Sequence, residues 1–140
     1  MDNKEFNIDN LKNALATLKN CWEVYNQQQD NVIFADIVAD SCVKRFEYTM
    51  ETALKLMRKY LKLFYAKNDN ELTVNNIFRF MAGYDMIMNW ENWKQYYAKR
   101  NDTSHEYNIV KARELLNIMP QFIAETEFLV LAFEKALNGA

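Results

Sequence analysis

Residues 46–64 read FEYTMETALKLMRKYLKLF, and within them Phe46, Met50, Ala53, Leu54, Met57, Leu61 and Phe64 recur every three or four positions. That spacing lays one apolar stripe along about five turns of α-helix; a half-buried strand would alternate instead. The pattern predicts a long helix from about Asp36 to about Lys67. On another face of it Asp40, Lys44, Glu47 and Glu51 line up at i, i+4, i+7 and i+11. Such a run is ordinarily a solvated stripe held by i,i+4 pairs. The alternative is that it lines an interface or a site, which makes Asp40 and Glu47 candidates for site-lining residues.

The rest of the chain carries the same signal. Leu11, Ala14, Leu15, Leu18, Trp22 and Tyr25 predict a first helix from about Asp9 to Gln29, closed by Asp30-Asn31. Asn68-Asp69-Asn70 reads as a loop, and a shorter helix follows from about Val74 with Ile77, Phe78 and Met81 inward. Gly83 is expected as a C-cap or a point of close packing. Asn89 is expected to cap a helix carrying Trp90, Trp93, Tyr97 and Arg100. The last stripe, Ala112, Leu115, Met119, Phe122, Thr126, Leu129, Phe133 and Leu137, keeps register through Pro120. One helix kinked near Pro120, or two nearly coaxial ones, satisfies that pattern. Half the residues are hydrophobic and only two are glycine and one proline, which favours long helices with short connections. The expected architecture is all-α, an up-and-down antiparallel bundle of about five helices in a single domain spanning 1–140.

Between the last two stripes lies the polar stretch Arg100-Asn101-Asp102-Thr103-Ser104-His105-Glu106-Tyr107, which holds the one histidine of the chain. Trp93, Tyr96 and Tyr97 precede Arg100 at i−7, i−4 and i−3, so the guanidinium ends an aromatic stripe. Thr103 and Glu106 match the T-x-x-E capping box, predicting that the last helix starts with Thr103 as N-cap. His105 would then stand in its first turn, where the helix dipole disfavours imidazolium and leaves a neutral base. Tyr107, about 200° further round, would face outward. Two readings stay open on geometry alone. Arg100 and His105 either form a chemical site, or are a C-terminal cation and a satisfied polar group at a turn.

Composition removes several classes of function. One histidine and no Glu-x-x-His pair exclude a di-iron carboxylate bundle and argue against a zinc site, so no metal is expected. Two isolated glycines provide no phosphate-cradling loop, and no cofactor is expected. Net charge of −2 counts against tight non-specific nucleic-acid binding, softened locally by Lys94, Lys99, Lys111 and Arg113. The chain shows no signal-peptide pattern and no apolar run near membrane-span length, and the expectation is a cytoplasmic protein without membrane contact. Cys21 and Cys42 lack metal-type spacing and read as buried thiols in a reducing compartment.

Two stretches then point to a family. R-N-D-T-S-H-E-Y-N, from Arg100 to Asn108, resembles the R-x4-H-x-Y signature of HEPN domains that pair with minimal nucleotidyltransferases. D-S-C-V-K-R-F-E-Y-T-M-E, from Asp40 to Glu51, resembles the R-D-x-x-I-Q-R-F-E-[YF]-T-x-E stretch of that family's second helix. Ala39 stands where the family has arginine, and Lys44 where glutamine is common. The resemblance implies an all-helical homodimer and a small nucleotidyltransferase as partner. Some members are described as that enzyme's substrate-binding subunit. Others are metal-independent endoribonuclease toxins whose partner, the antitoxin, adds nucleotides to the motif tyrosine. It further implies His105 as general acid/base, Arg100 as the phosphate-stabilising cation, Asn101 as a polar helper and Tyr107 as the modified hydroxyl. RNA is then the expected substrate, and a non-catalytic substrate-binding or scaffold subunit is the alternative.

Overall fold

The computed structural model describes residues 6–27, 30–105 and 109–139, the side chains of residues 104 and 105 excepted. Among the described residues the elements are α1 (Asp9–Gln27), α2 (Val32–Tyr65), α3 (Val74–Gly83), α4 (Trp90–His105) and α5 (Ile109–Leu137). The long second helix is present and starts four residues before the expected Asp36. The reason is local: Asn31 ends nothing but caps α2, its side-chain oxygen accepting the Phe34 N–H at 3.0 Å. At the other end Ala66 adopts the left-handed conformation, φ 52, and its N–H closes on the Leu61 carbonyl. A single 3-10 turn, Asp69–Glu71, occupies the expected loop and is held by a capping box between Asn68 and Glu71. Thr73 caps α3, and Asn89 caps α4 by accepting the N–H groups of Glu91 and Asn92.

Cross-helix pairs fix the directions. Lys12 meets Glu134 and Lys19 meets Glu127, so α1 and α5 run antiparallel. Cys21 meets both Val38 and Cys42, at the end of α1 and the beginning of α2, as an antiparallel pair requires. Glu51 and Glu47 on α2 meet Arg100 and Thr103 on α4, again antiparallel. Tyr96 with Glu125 and Asp102 with Lys111 give the same sense for α4 and α5. The result is an up-down-up-down bundle of α1, α2, α4 and α5, with the short α3 packed between α2 and α4.

The core draws on every helix. Phe46, Phe78, Trp93, Tyr96, Phe122 and Phe133 are its largest enclosed side chains. Phe122 has its ring 4.6 Å from Phe46, 5.0 Å from Tyr96 and 5.8 Å from Trp93, tying α2, α4 and α5 together. At the opposite end Phe6, Tyr60, Phe64 and Phe133 form a second aromatic group. Helix α5 passes Pro120 as one continuous element. The proline removes one backbone bond, and the stripe of Leu115, Met119, Phe122 and Leu129 is buried on both sides of it. By length and composition α5 is apolar enough to cross a bilayer, with mean hydropathy 1.3 over its best stretch, which revises the sequence reading that no such run exists. Half of that stretch is buried inside the bundle, the pattern of a core helix. Gly83 departs from expectation too: it has open space around it, and the left-handed turn falls at Asp85, φ 61.

Burial also shapes the alkaline limit of the fold. Tyr60 is 4% exposed, and burial, then the nearby Tyr65, pushes its phenol from about 10 up to about 12. Tyr96 is raised still further by burial and by Glu125. The folded state thus favours the neutral phenols. Their contribution is complete below pH about 10 and is lost as pH climbs toward 12. Urea midpoints measured between neutrality and pH 12 should stay level and then fall across that window, less steeply in Tyr60→Phe.

Candidate functional site

Arg100 reaches the α2–α4 seam because the aromatic stripe of α4 carries it there. Trp93 and Tyr96 are buried at i−7 and i−4, and the guanidinium follows them inward to about one-quarter exposure. Its Nη2 donates to Glu51 of α2, and its Nη1 donates to the Asn101 side-chain oxygen at 3.0 Å. Its Nε is buried and, among the described residues, bonded to nothing. A guanidinium carries five donors in a rigid fork, so this one is held in orientation with a donor to spare.

Below it sits Thr103, and here the structure corrects the sequence reading. Thr103 is not the N-cap of the last helix; α4 continues through it to His105. The Thr103 hydroxyl lies 2.8 Å from Glu47 Oε2, 3.1 Å from the Lys99 carbonyl and 3.3 Å from the Arg100 carbonyl. It has one hydrogen, and the charged acceptor at the shortest distance takes it. Glu47 is only 8% exposed, so its carboxylate needs such donors; Lys44 Nζ, 3.5 Å away, supplies a second partner. A buried acid on α2 therefore outcompetes the local capping box.

The backbone of His105 accordingly lies within the described extent of α4, and not in the first turn of a helix capped by Thr103. The dipole argument for a neutral imidazole required His105 in the first turn behind a Thr103 cap, and with α4 running through Thr103 it loses its basis. Arg100 and His105 lie on one helix, five residues apart, or about 7.5 Å of rise. The His105 side chain and the whole of Glu106 and Tyr107 fall outside the described residues, and so does the outward placement expected for Tyr107.

The charged stripe of α2 is likewise not simply solvated. Glu47 is buried against Thr103, Glu51 holds Arg100, and Asp40 lies 3.7 Å from Arg113 at the start of α5. Asp36, 2.9 Å from Arg113, extends the row upward. Asp40 and Glu47 thus lie along the seam, Asp40 at the rim and half exposed. Sequence reasoning passed over Glu51 as a partner of Arg100, although it stands at i+4 from Glu47 in the same row. It also missed Glu125, a buried acid of α5 that accepts from Tyr96 and, at 3.3 Å, from Asn92. Nothing in an apolar stripe announces such an acid beforehand.

The local cations are mostly engaged. Lys111 sits 3.6 Å from Asp102, Arg113 is shared by Asp36 and Asp40, and Lys94 lies over the Trp90 ring. Among the described residues no group of three metal-ligating side chains comes together. Around this seam the surface is apolar: Val32, Ile33 and Ile37 at the start of α2, and Ile109 and Val110 at the start of α5, are all more than half exposed. Asp36–Arg113 bridges the two groups.

A bundle of this topology has known counterparts. A structure from Haemophilus influenzae, reported as the fold of a substrate-binding domain of a nucleotidyltransferase, superposes with a TM-score of 0.77 at 24% identity, covering 94% of this chain and 99% of that one. A Thermus thermophilus protein gives 0.70 at 21%, covering 86% and 95%. In sequence, a Haemophilus influenzae protein named probable ribonuclease HepT is 27% identical over 100 residues, 70% of this chain and 68% of that protein. The family model described as nucleotidyltransferase substrate binding protein like matches residues 6–135, nearly the whole bundle from the first core phenylalanine to the last turn of α5, and the chain belongs to that family.

Proposed function

We propose that this chain is the metal-independent endoribonuclease of a two-component pair, a toxin restrained by a small nucleotidyltransferase. The observation that carries the reading is Arg100: anchored by buried aromatics, oriented by Asn101 and Glu51, with a buried donor that no described residue accepts. RNA cleavage without a metal needs a fixed cation for the charge on pentacoordinate phosphorus and a group of near-neutral pKa to take the 2′-hydroxyl proton. Arg100 supplies the first and His105 the second, with Asn101 holding the guanidinium. The name of the Haemophilus relative supports the same reading. RNA, no metal and no other cofactor are required, and a cytoplasmic location suits both partners. The test is RNA cleavage by the purified chain in EDTA.

One histidine per chain provides one acid/base group, whereas cleavage uses two. A two-fold homodimer bringing two seams together supplies both. The exposed Val32, Ile33, Ile37, Ile109 and Val110 beside the seam are what such a dimer would bury. Light scattering at micromolar concentration should give twice the chain mass, and Ile37→Asp with Val110→Asp should give the monomer.

Tyr107 is the proposed target of the partner. A nucleotide on that hydroxyl would bring negative charge two residues along the chain from His105, suited to pairing with Arg100 and to keeping an RNA phosphate out. Co-expression with a cognate nucleotidyltransferase should add a nucleotide mass to the Tyr107 peptide, and Tyr107→Phe should abolish it. A second reading, a substrate-binding or scaffold subunit without catalysis, is favoured by the Glu51–Arg100 pair, since a neutralised arginine also suits a purely structural joint. An unmodified Tyr107 in the co-expressed complex, together with inert protein in the RNA assay, would decide for it.

A further inference from the structure

Cys21 near the end of α1 and Cys42 in α2 face each other across the helix pair, with their sulfurs 3.0 Å apart and both thiols free. Cys42 is fully buried and donates its S–H to Cys21; Cys21 is half-buried and in turn lies 3.6 Å from the Val38 carbonyl. A groove of about 400 Å³ has Cys21 in its wall, together with Thr17, Asn20, Ile37, Ser41 and Arg45 among others. The two thiols therefore differ in access: one is reached from solvent, the other waits behind it. They differ chemically as well. Burial and the contact with Cys21 push the Cys42 thiol far above the ordinary cysteine range, which the charge of Arg45 offsets only in part. Cys21, in the wall of the groove, thus meets an oxidant first, and Cys42, with its sulfur 3.0 Å behind, is placed to resolve what forms on its neighbour.

We propose that Cys21 and Cys42 form an oxidisable dithiol, closed to an intramolecular disulfide by hydroperoxides, which pins the α1–α2 hairpin. The Cys21 sulfur, as thiolate, attacks the peroxide oxygen, breaking the O–O bond and giving a sulfenic acid and water after protonation. The Cys42 sulfur then attacks the sulfenic sulfur, and its proton leaves with the hydroxide as a second water. Two thiols and one hydrogen peroxide become one disulfide and two waters. The sulfurs need approach by only about 1 Å to reach disulfide bonding distance. The loop so closed contains the end of α1 and the start of α2 with its exposed Val32, Ile33 and Ile37. Oxidation would stiffen that apolar tip, part of the surface proposed above for the homodimer, while Glu47 and Glu51 of the Arg100 seam lie on another face of α2. The dithiol itself does not rest on the ribonuclease reading, and its test reads neither cleavage nor dimer formation.

The full-length chain, reduced and then treated with hydrogen peroxide, should lose two hydrogens in its intact mass and yield a cross-linked peptide pair containing Cys21 and Cys42. Dithiothreitol should reverse both. Oxidation should raise Tm by about 5 °C or more, because a loop of about 20 residues is closed, and should slow amide exchange between the two cysteines. Cys21→Ser and Cys42→Ala should each abolish cross-link and Tm shift. Oxygen added at Cys21 without a cross-link would overturn the proposal, as would a disulfide between chains. Both outcomes are read on the wild-type chain, so a variant that folds poorly does not obscure them.

Discussion

Arg100→Ala should lower EDTA-resistant RNA cleavage by about 10²–10³-fold or more, the usual loss when one charge-stabilising donor leaves a transition state. The fold should hardly notice. The partner left behind, Glu51, is 44% exposed, so its carboxylate can hydrate, and the ion pair itself is of a kind whose net contribution is about 1 kcal/mol or less. Arg100→Lys separates charge from geometry: it keeps the cation and loses the fork, so most of the deficit should persist. His105→Ala should be as damaging as Arg100→Ala. A reporter RNA panel, with urea unfolding run on the same preparations, measures both quantities. Wild-type protein that cleaves nothing on a broad panel would remove the ribonuclease reading; an Arg100→Ala protein with full activity would remove Arg100 from it.

The second large effect is on stability. Trp93→Ala should cost about 3–5 kcal/mol, the range for deleting a large enclosed aromatic. Trp93 has no exposed surface, and its ring lies 5.5 Å from Tyr96, 5.8 Å from Phe122 and 6.3 Å from Phe78, where α3, α4 and α5 meet. A hole there also loosens the stripe that delivers Arg100 to the seam. Trp93→Phe should cost much less, for a specific reason. The indole Nε1 is buried with no partner among the described residues, and phenylalanine removes that unsatisfied donor along with the lost volume. Urea denaturation followed by circular dichroism gives both values; equal losses in the two variants would contradict this account of the site.

What the sequence determined by itself was what periodicity governs. The apolar stripe from Phe46 to Phe64 dictated α2, and the aromatic spacing of Trp93, Tyr96 and Arg100 dictated which side of α4 the guanidinium takes. The cap at Asn89 was legible for the same reason, being satisfied by its own helix, whereas Asn31, Gly83 and Thr103 were misread. Continuity through Pro120 followed from a stripe that keeps register. Tertiary structure decided the rest, because those choices are competitions between a local partner and a distant one. Thr103 had a local use as a cap, and buried Glu47, fifty-six positions away, took its hydroxyl instead. That contact accompanies an α4 that runs on through Thr103 to His105, so the histidine does not stand in the first turn of a helix capped at Thr103. Glu51 read as surface charge, and Glu125 drew no reading at all, until Arg100 and Tyr96 were brought against them. A buried carboxylate must find donors wherever the packing supplies them, and no spacing rule along the chain encodes which donors those are.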